Sequence, residues 1–456
     1  MSLDPDPAEM RRLAHLAIER AIADRAALAD ARVITPPDPA VLRPLCAEPL
    51  PRAGHGVDSS LAKFFDELLP LATRVDHPRF FGYVPAPGSF VGALGDWLAS
   101  VTNLFVGSWL GGASFAQLEV QVLDWLRDAL GLEAAWGHGL LTSGGSMANL
   151  TALCVARERC AAPLERQTVH TSVEAHGSVR KAARILGYRE ENVIAVPVGF
   201  EQRIHPGALA ESLDAADARG LVPAAVVATV GTTSTGAVDD VVACAGAAAE
   251  HGAWVHVDGA WGAAMAVLPE RTEIRAALAA ADSITLDPHK WLYTPLESGC
   301  LLTRHAGILE ATFRAEGDYL QDVPRDEVNF FDRGPEMSRG ARALKLWLLL
   351  RSVGVDRIAD AIRHDCALAE RARARLGQDP RITVVTEPRM SVFSFRVPGG
   401  EEANADLVRR IHADGFCLLS SSRVAGSYVI RFCVVNHRTT EDDVDRTVDR
   451  VLALIG

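Results

Sequence analysis

The sequence predicts an α/β protein: a mainly parallel sheet flanked by helices, with a helical N-terminal segment and a small C-terminal α+β domain. Three observations predict it. Short apolar, β-branched runs recur at 193–198, 225–230, 254–258 and 283–287. Ala-rich stretches of crossover length lie between and around them, at 146–159, 177–187, 207–219 and 240–251. The chain has a different texture on either side, helical before and mixed after. Continuous apolar runs mark strands buried on both faces, and parallel neighbours need helical crossovers.

The elements follow in order. Residues 8–30 read as an Ala-rich helix with Leu13, Leu16, Ile18 and Ile22 on overlapping faces. Thr35-Pro36-Pro37-Asp38-Pro39 stops it. A second helix is expected over 59–69, then an aromatic, Pro/Gly-rich loop over 77–90. Helices follow at 91–105 and 115–130, the latter with apolar residues close to helical period. After the alternating stretch, a long helix is expected over 339–353. Strands at 391–397 and 428–435 then mix with helices at 402–413 and 440–454.

Lys and Arg number 46 and Asp and Glu 58, a formal charge of −12 with neutral His. Apolar residues are 48% and charged residues 23%, which excludes collagen-like, disordered and disulfide-stapled classes. The acidic balance argues against nucleic acid or anionic membrane as partner, because phosphates demand clustered Lys and Arg. No apolar run approaches the roughly 18–20 residues of a membrane span. The N-terminus lacks the continuous apolar core of a signal peptide. The 8 Cys are scattered without a CxxC, as in reduced cytoplasmic proteins, so no zinc or other metal site is expected.

Ligands of parallel sheets sit at the carboxyl ends of strands. The run at 283–287 leads into Pro288, His289, Lys290 and Trp291. Such a lysine is either an ordinary surface residue or an amine able to form a Schiff base, for which pyridoxal phosphate offers the carbonyl. Asp258 ends another run. It either caps the next turn or keeps a pyridinium nitrogen protonated, and Lys290 favours the second reading. Thr142-Ser143-Gly144-Gly145-Ser146 opens a helix, as a plain turn or as a phosphate cradle. It is neither GxGxxG nor GxxxxGK[ST], so dinucleotide and Walker-type binding fail. His176 is either structural or a ring-stacking group that moves protons.

Six segments carry a resemblance: HPRFFGYVPAPGS (77–89), TSGGSMANL (142–150), EAHGSVRKAARILG (174–187), ATVGTTSTGAVDD (228–240), HVDGAW (256–261) and DPHKWLYTP (287–295). In order and spacing they resemble the group II pyridoxal-phosphate decarboxylases, nearest to the aromatic-L-amino-acid, tyrosine and histidine decarboxylases. The resemblance runs from about residue 60 to the C-terminus. It implies fold type I, the aspartate-aminotransferase-like fold, as an intertwined homodimer with the active site at the subunit interface. The chain then divides into an N-terminal helical dimerisation segment (1–89), a large cofactor-binding domain (90–345) and a small domain (346–456). Lys290 would be the Schiff-base lysine, with His289, Gly145 and Ser146 at the phosphate. Asp258 would pair with the pyridine nitrogen, Ala260 and His176 would take the two ring faces, and Thr233 would lie near the ring. Tyr83 resembles the family's substrate-pocket aromatic, and Arg431 an arginine near the substrate carboxylate. Pro85-Ala86-Pro87 and Gly107 would leave room for an aromatic or bulky side chain.

The resemblance implies decarboxylation of an L-amino acid to an amine and CO2, through a Lys290 Schiff base and a quinonoid. One departure opens an alternative. Counting back from Arg339 and Lys345, Phe330 falls where a loop tyrosine that protonates the quinonoid is expected. Phenylalanine has no proton to give, but across a gapped loop the position could instead fall to Tyr319, and His176 is another candidate donor. In relatives that resemble this pattern, O2 reacts instead and the products are aldehyde, ammonia, CO2 and peroxide. A transaminase or lyase fits the HVDGAW and DPHKW pair less well. A non-enzymatic role leaves Lys290, Asp258 and His176 together without a reason.

Overall fold

A computed structural model describes residues 3–455; residues 1, 2 and 456 of the expected terminal segments lie outside the described residues. Twelve strands are described. They are β1 Phe80–Phe81, β2 His138–Thr142, β3 Gln167–Ser172, β4 Val193–Val196, β5 Val222–Thr229 and β6 Trp254–Asp258. The rest are β7 Ser283–Leu286, β8 Gly299–Thr303, β9 Thr383–Arg389, β10 Val392–Arg396, β11 Leu418–Val424 and β12 Ser427–Cys433.

Seven strands form one sheet in the order β2-β8-β7-β6-β5-β3-β4. Pairing is parallel from β7 through β6, β5 and β3 to β4, and antiparallel on both sides of β8. Only β8 therefore runs against the others, and the carboxyl ends of the remaining six share one edge. Three strands of this sheet, β2, β3 and β8, escape the sequence reading, as do β1, β9 and β11 elsewhere. β3 reads QTVHTS, polar by composition, yet every residue of it is buried. Gln167 and His170 find hydrogen-bond partners in Tyr188 and Ser212, which permits their burial.

Helices cover both faces. Helix Gly145–Arg159 follows β2, and helix Val241–Glu250 joins β5 to β6. The helix expected at 115–130 begins earlier, at Trp109, where Ser108 accepts the Gly111 N–H at 3.1 Å. Its buried Val122, Leu123 and Leu126 each contribute roughly 1.5–3 kcal/mol on full burial. Its Glu119 is fully buried beside Arg339 at 2.7 Å and accepts the Leu141 N–H at 2.9 Å. That pair secures the end of β2 just before the Gly-rich loop.

The second sheet runs β1-β11-β12-β10-β9. β1 comes from the N-terminal segment, pairs parallel with β11, and Phe81 stacks on Phe432 at 4.4 Å. The N-terminal segment thus completes the C-terminal sheet. The helix expected from 339 begins at Ala343, because residues 334–342 form an irregular stretch pinned by Arg339. A further 22-residue helix, Val355–Leu376, links the two sheets' cores.

Candidate active site

The carboxyl ends of β2, β5, β6 and β7 surround a cavity of about 370 Å³. Gly145, Ser146, His176, Thr233, Asp258, Ala260, His289 and Lys290 all line it. These eight span the chain from residue 145 to residue 290, and the sheet edge alone brings them together.

Lys290 sits in the turn after β7, its Nζ 3.0 Å from Asp287 Oδ2. Asp287 is buried, and its Oδ1 has no hydrogen-bond partner. His289 accepts the Ser298 N–H on Nδ1 at 3.1 Å, which leaves Nε2 facing the cavity, 3.7 Å from Asp287 Oδ2. Burial lowers the His289 pKa, opposed by the Asp287 charge.

Asp258 ends β6. Its Oδ1 accepts the Ala260 N–H at 3.2 Å and its Oδ2 accepts from Asn149 Nδ2 at 3.0 Å. Behind it His256 is fully buried, which pushes its pKa down to about 4 and keeps it neutral. The Asp258 carboxylate therefore has no cation behind it. Trp261 stacks on Trp291 at 5.2 Å and so joins the turn carrying Asp258 to the turn carrying Lys290.

The Gly-rich loop approaches closely because it lacks side chains. A Cβ on Gly145 would lie 2.8 Å from Asp287 Oδ2 and 3.1 Å from Ala260 Cβ. Helix Gly145–Arg159 starts there with no side-chain cap on its first N–H groups. A helix N-terminus of this kind favours an anion. Gly231 beside Thr233 holds φ 89°, and a Cβ on it would meet Gly262 Cα at 2.9 Å.

These residues fit pyridoxal phosphate. An amine, a carboxylate, an uncapped helix start and an imidazole face one cavity. Two buried acceptors or donors on its wall, Asp287 Oδ1 and Thr229 Oγ1, lack protein partners. Lys290 would hold the carbonyl carbon, Asp258 the ring nitrogen, and Gly145, Ser146 and His289 the phosphate.

Three expected residues stand apart. Tyr83 and Arg431 do not line the cavity. They meet each other at Ser420, whose Oγ accepts the Tyr83 N–H at 3.2 Å and Arg431 Nη1 at 2.8 Å. Arg431 is buried, bonds the Ser234 carbonyl at 3.2 Å, and leaves Nη2 without a partner. It reaches the cavity wall only through Ser234, next to Thr233.

Phe330 is the third. It is fully buried in the large core, with Arg339 and Arg333 over its ring at 4.8 and 5.4 Å. It does not line the cavity of its own subunit. The irregular stretch 334–342 packs inward behind Arg339 and carries Phe330 into the core. Sequence reasoning also missed Asn149, Ser178 and Asp287. Asn149 lies one helical turn after Gly145, and Asp287 one turn before Lys290, the spacing that puts side chains on one face.

The family model of the pyridoxal-dependent decarboxylase conserved domain matches residues 39–398. The chain is 35% identical to an aromatic-L-amino-acid decarboxylase of Bacillus atrophaeus, over 98% of this chain and 95% of the relative. The crystal structure of Oryza sativa TDC with PLP and tryptamine matches with a TM-score of 0.95 and 28% identity, over 100% of this chain and 99% of that one. A 4-hydroxyphenylacetaldehyde synthase structure from Rhodiola rosea matches with a TM-score of 0.92 and 25% identity, over 99% of each chain.

Proposed function

This chain belongs to the pyridoxal-dependent decarboxylase family, and from that premise we propose that it converts an aromatic L-amino acid to its amine and CO2. The fold is type I and the cofactor is pyridoxal phosphate. The observation that carries the reading is one cavity lined by Lys290, Asp258, His176 and the Gly145 helix start.

When bound, pyridoxal phosphate supplies a carbonyl for amine condensation and a ring that accepts the electron pair left by departing CO2. The protein supplies the rest. Lys290 Nζ is held in place by Asp287 at 3.0 Å and would be the amine that holds the cofactor's carbonyl carbon. Asp258 would keep a proton on the ring nitrogen, which strengthens that electron withdrawal. Gly145, Ser146 and His289 would bind the phosphate and so fix the ring in place. His176 lines the same cavity and would cover a ring face, from where it could carry a proton to the substrate.

The aromatic substrate class rests on the Bacillus atrophaeus relative and on the small residues Pro85, Ala86, Pro87 and Gly107. Tyr83 and Arg431 belong to the substrate side, where Arg431 has a donor in reserve. The aldehyde-forming alternative is not favoured, because the relative matched over 98% of this chain is an aromatic-L-amino-acid decarboxylase. We read the protein as a homodimer with its sites at the interface. Trp97, Leu98, Val101, Phe105 and Leu110 are exposed apolar side chains in two neighbouring helices and the loop between them, a face of the kind that subunits bury. The 8 cysteines are free, which suits a cytoplasmic protein. No described helix is long and apolar enough to cross a membrane.

The test is a panel of L-amino acids with CO2, amine and peroxide followed in parallel. CO2 with equal amine and no peroxide, from an aromatic substrate, supports the proposal. CO2 with peroxide and no amine restores the alternative, and turnover confined to acidic substrates overturns the substrate class.

A further inference from the structure

The hydrogen bonds behind the cavity admit one consistent set of directions, and those directions end on His176. Asn149 Nδ2 lies 3.0 Å from Asp258 Oδ2 and 3.0 Å from Ser178 Oγ. Its Oδ1 lies 2.7 Å from Thr285 Oγ1 and 3.0 Å from His256 Nε2. A carboxylate only accepts, so Asn149 must turn its nitrogen toward Asp258; flipped, two oxygens would face each other. Its Oδ1 then accepts from the Thr285 hydroxyl and from His256 Nε2–H.

His256 agrees from the other side. Trp254 Nε1 donates to Ser283 Oγ at 2.8 Å, so the Ser283 proton goes to His256 Nδ1, also at 2.8 Å. His256 thus carries its one proton on Nε2, as Asn149 requires.

The chain continues outward through Ser178. Ser178 Oγ accepts from Asn149 and gives its own proton to His176 Nδ1 at 2.8 Å. The Ser178 backbone N–H donates to the same nitrogen at 3.2 Å, where His176 caps helix Gly177–Ile185. Two donors aimed at Nδ1 make it an acceptor.

We propose that Asn149 and Ser178 are positioning residues that hold His176 as the Nε2–H tautomer and tie its imidazole to the Asp258 carboxylate. Nδ1 is engaged, so Nε2 is the nitrogen left to face the reacting carbon with a proton. What that proton is used for rests on the decarboxylase reading; the tautomer does not. Orientation of a catalytic imidazole by the partner of its other nitrogen is a general device. Here the partner is a serine whose direction is set two residues further back.

Holoenzyme with 15N-labelled histidine reads this directly by NMR, with the His176 signals assigned by their loss in His176→Gln. The expected result is an unprotonated Nδ1 and a protonated Nε2 near neutral pH. A proton on Nδ1 overturns the proposal. Ser178→Ala keeps the backbone donor but cuts the link to Asn149. It should bring in the second tautomer and lower kcat by roughly 3–10-fold with KM little changed, a fraction of what general acid–base catalysis contributes. Ser178→Thr keeps the hydroxyl and should restore both readings. Wild-type tautomer and kcat in Ser178→Ala would refute the link through serine. A wild-type enzyme that releases no CO2 would instead overturn the functional reading and leave the tautomer result intact.

Discussion

Asp365 offers a prediction whose size the structure sets. It lies in helix Val355–Leu376, fully buried, and its Oδ2 accepts from Trp291 Nε1 at 2.8 Å and Tyr293 OH at 2.7 Å. Those donors follow Lys290 in sequence, and Tyr293 holds φ 54°, a left-handed conformation costing an L-residue about 1–2 kcal/mol. Burial raises the Asp365 pKa from 3.8 to about 7. As pH rises from about 4 to 7, the unfolded chain loses this proton first, so the folded state holds more protons and stability falls. Between about pH 5 and pH 8 the two pKa values give a loss of roughly 2–3 kcal/mol. Its neighbours do not mimic this window. Burial pushes the Cys366 thiol up to about 12 and the Tyr293 phenol well above its usual range, so both stay neutral. His437, edge-on to Tyr293 at 5.1 Å, is lowered to about 4 by burial and adds the opposite slope, present in wild type and variant alike. Asp365→Asn has no proton to lose. Urea unfolding at matched cofactor loading should show the variant gaining about 2–3 kcal/mol on wild type between the two pH values. A difference that stays constant, or that shrinks as pH rises, would refute the reasoning whatever the absolute offset.

Lys290→Ala should lose the visible absorbance of bound cofactor and lower turnover by at least about a thousandfold, since a covalent partner is removed; normal absorbance with turnover would sink the assignment. Glu119→Leu leaves the Arg339 guanidinium buried without its carboxylate and should cost about 3–5 kcal/mol in urea unfolding. Phe330→Tyr places a hydroxyl in a fully buried site and should cost about 1–3 kcal/mol while the product stays amine. A switch from aldehyde to amine in that variant would show that residue 330 does reach the reacting atoms.

The parallel sheet and the lysine turn were legible in the sequence because their signals are local. Apolar runs of strand length, Ala-rich crossovers and the residues just after each strand read without knowledge of the fold. Lys290, Asp258, His176 and the Gly145–Ser146 turn were singled out on that basis, the family resemblance added Thr233, Ala260 and His289, and all of them line the cavity. The family resemblance placed their roles and the type I fold. What the sequence left open depends on contacts far apart in the chain. β3 was missed because its polar side chains are satisfied by Tyr188 and Ser212, residues that carry no strand signal themselves. The burial of Phe330 was not legible because counting along a loop does not show which way the loop turns; the buried Glu119–Arg339 pair anchors the stretch that follows it. Asn149 meets Asp258 across 109 residues, and Asp365 meets Trp291 across 74. Only the closed sheet brings such groups to 3 Å, and only there does burial decide which of them keeps its proton.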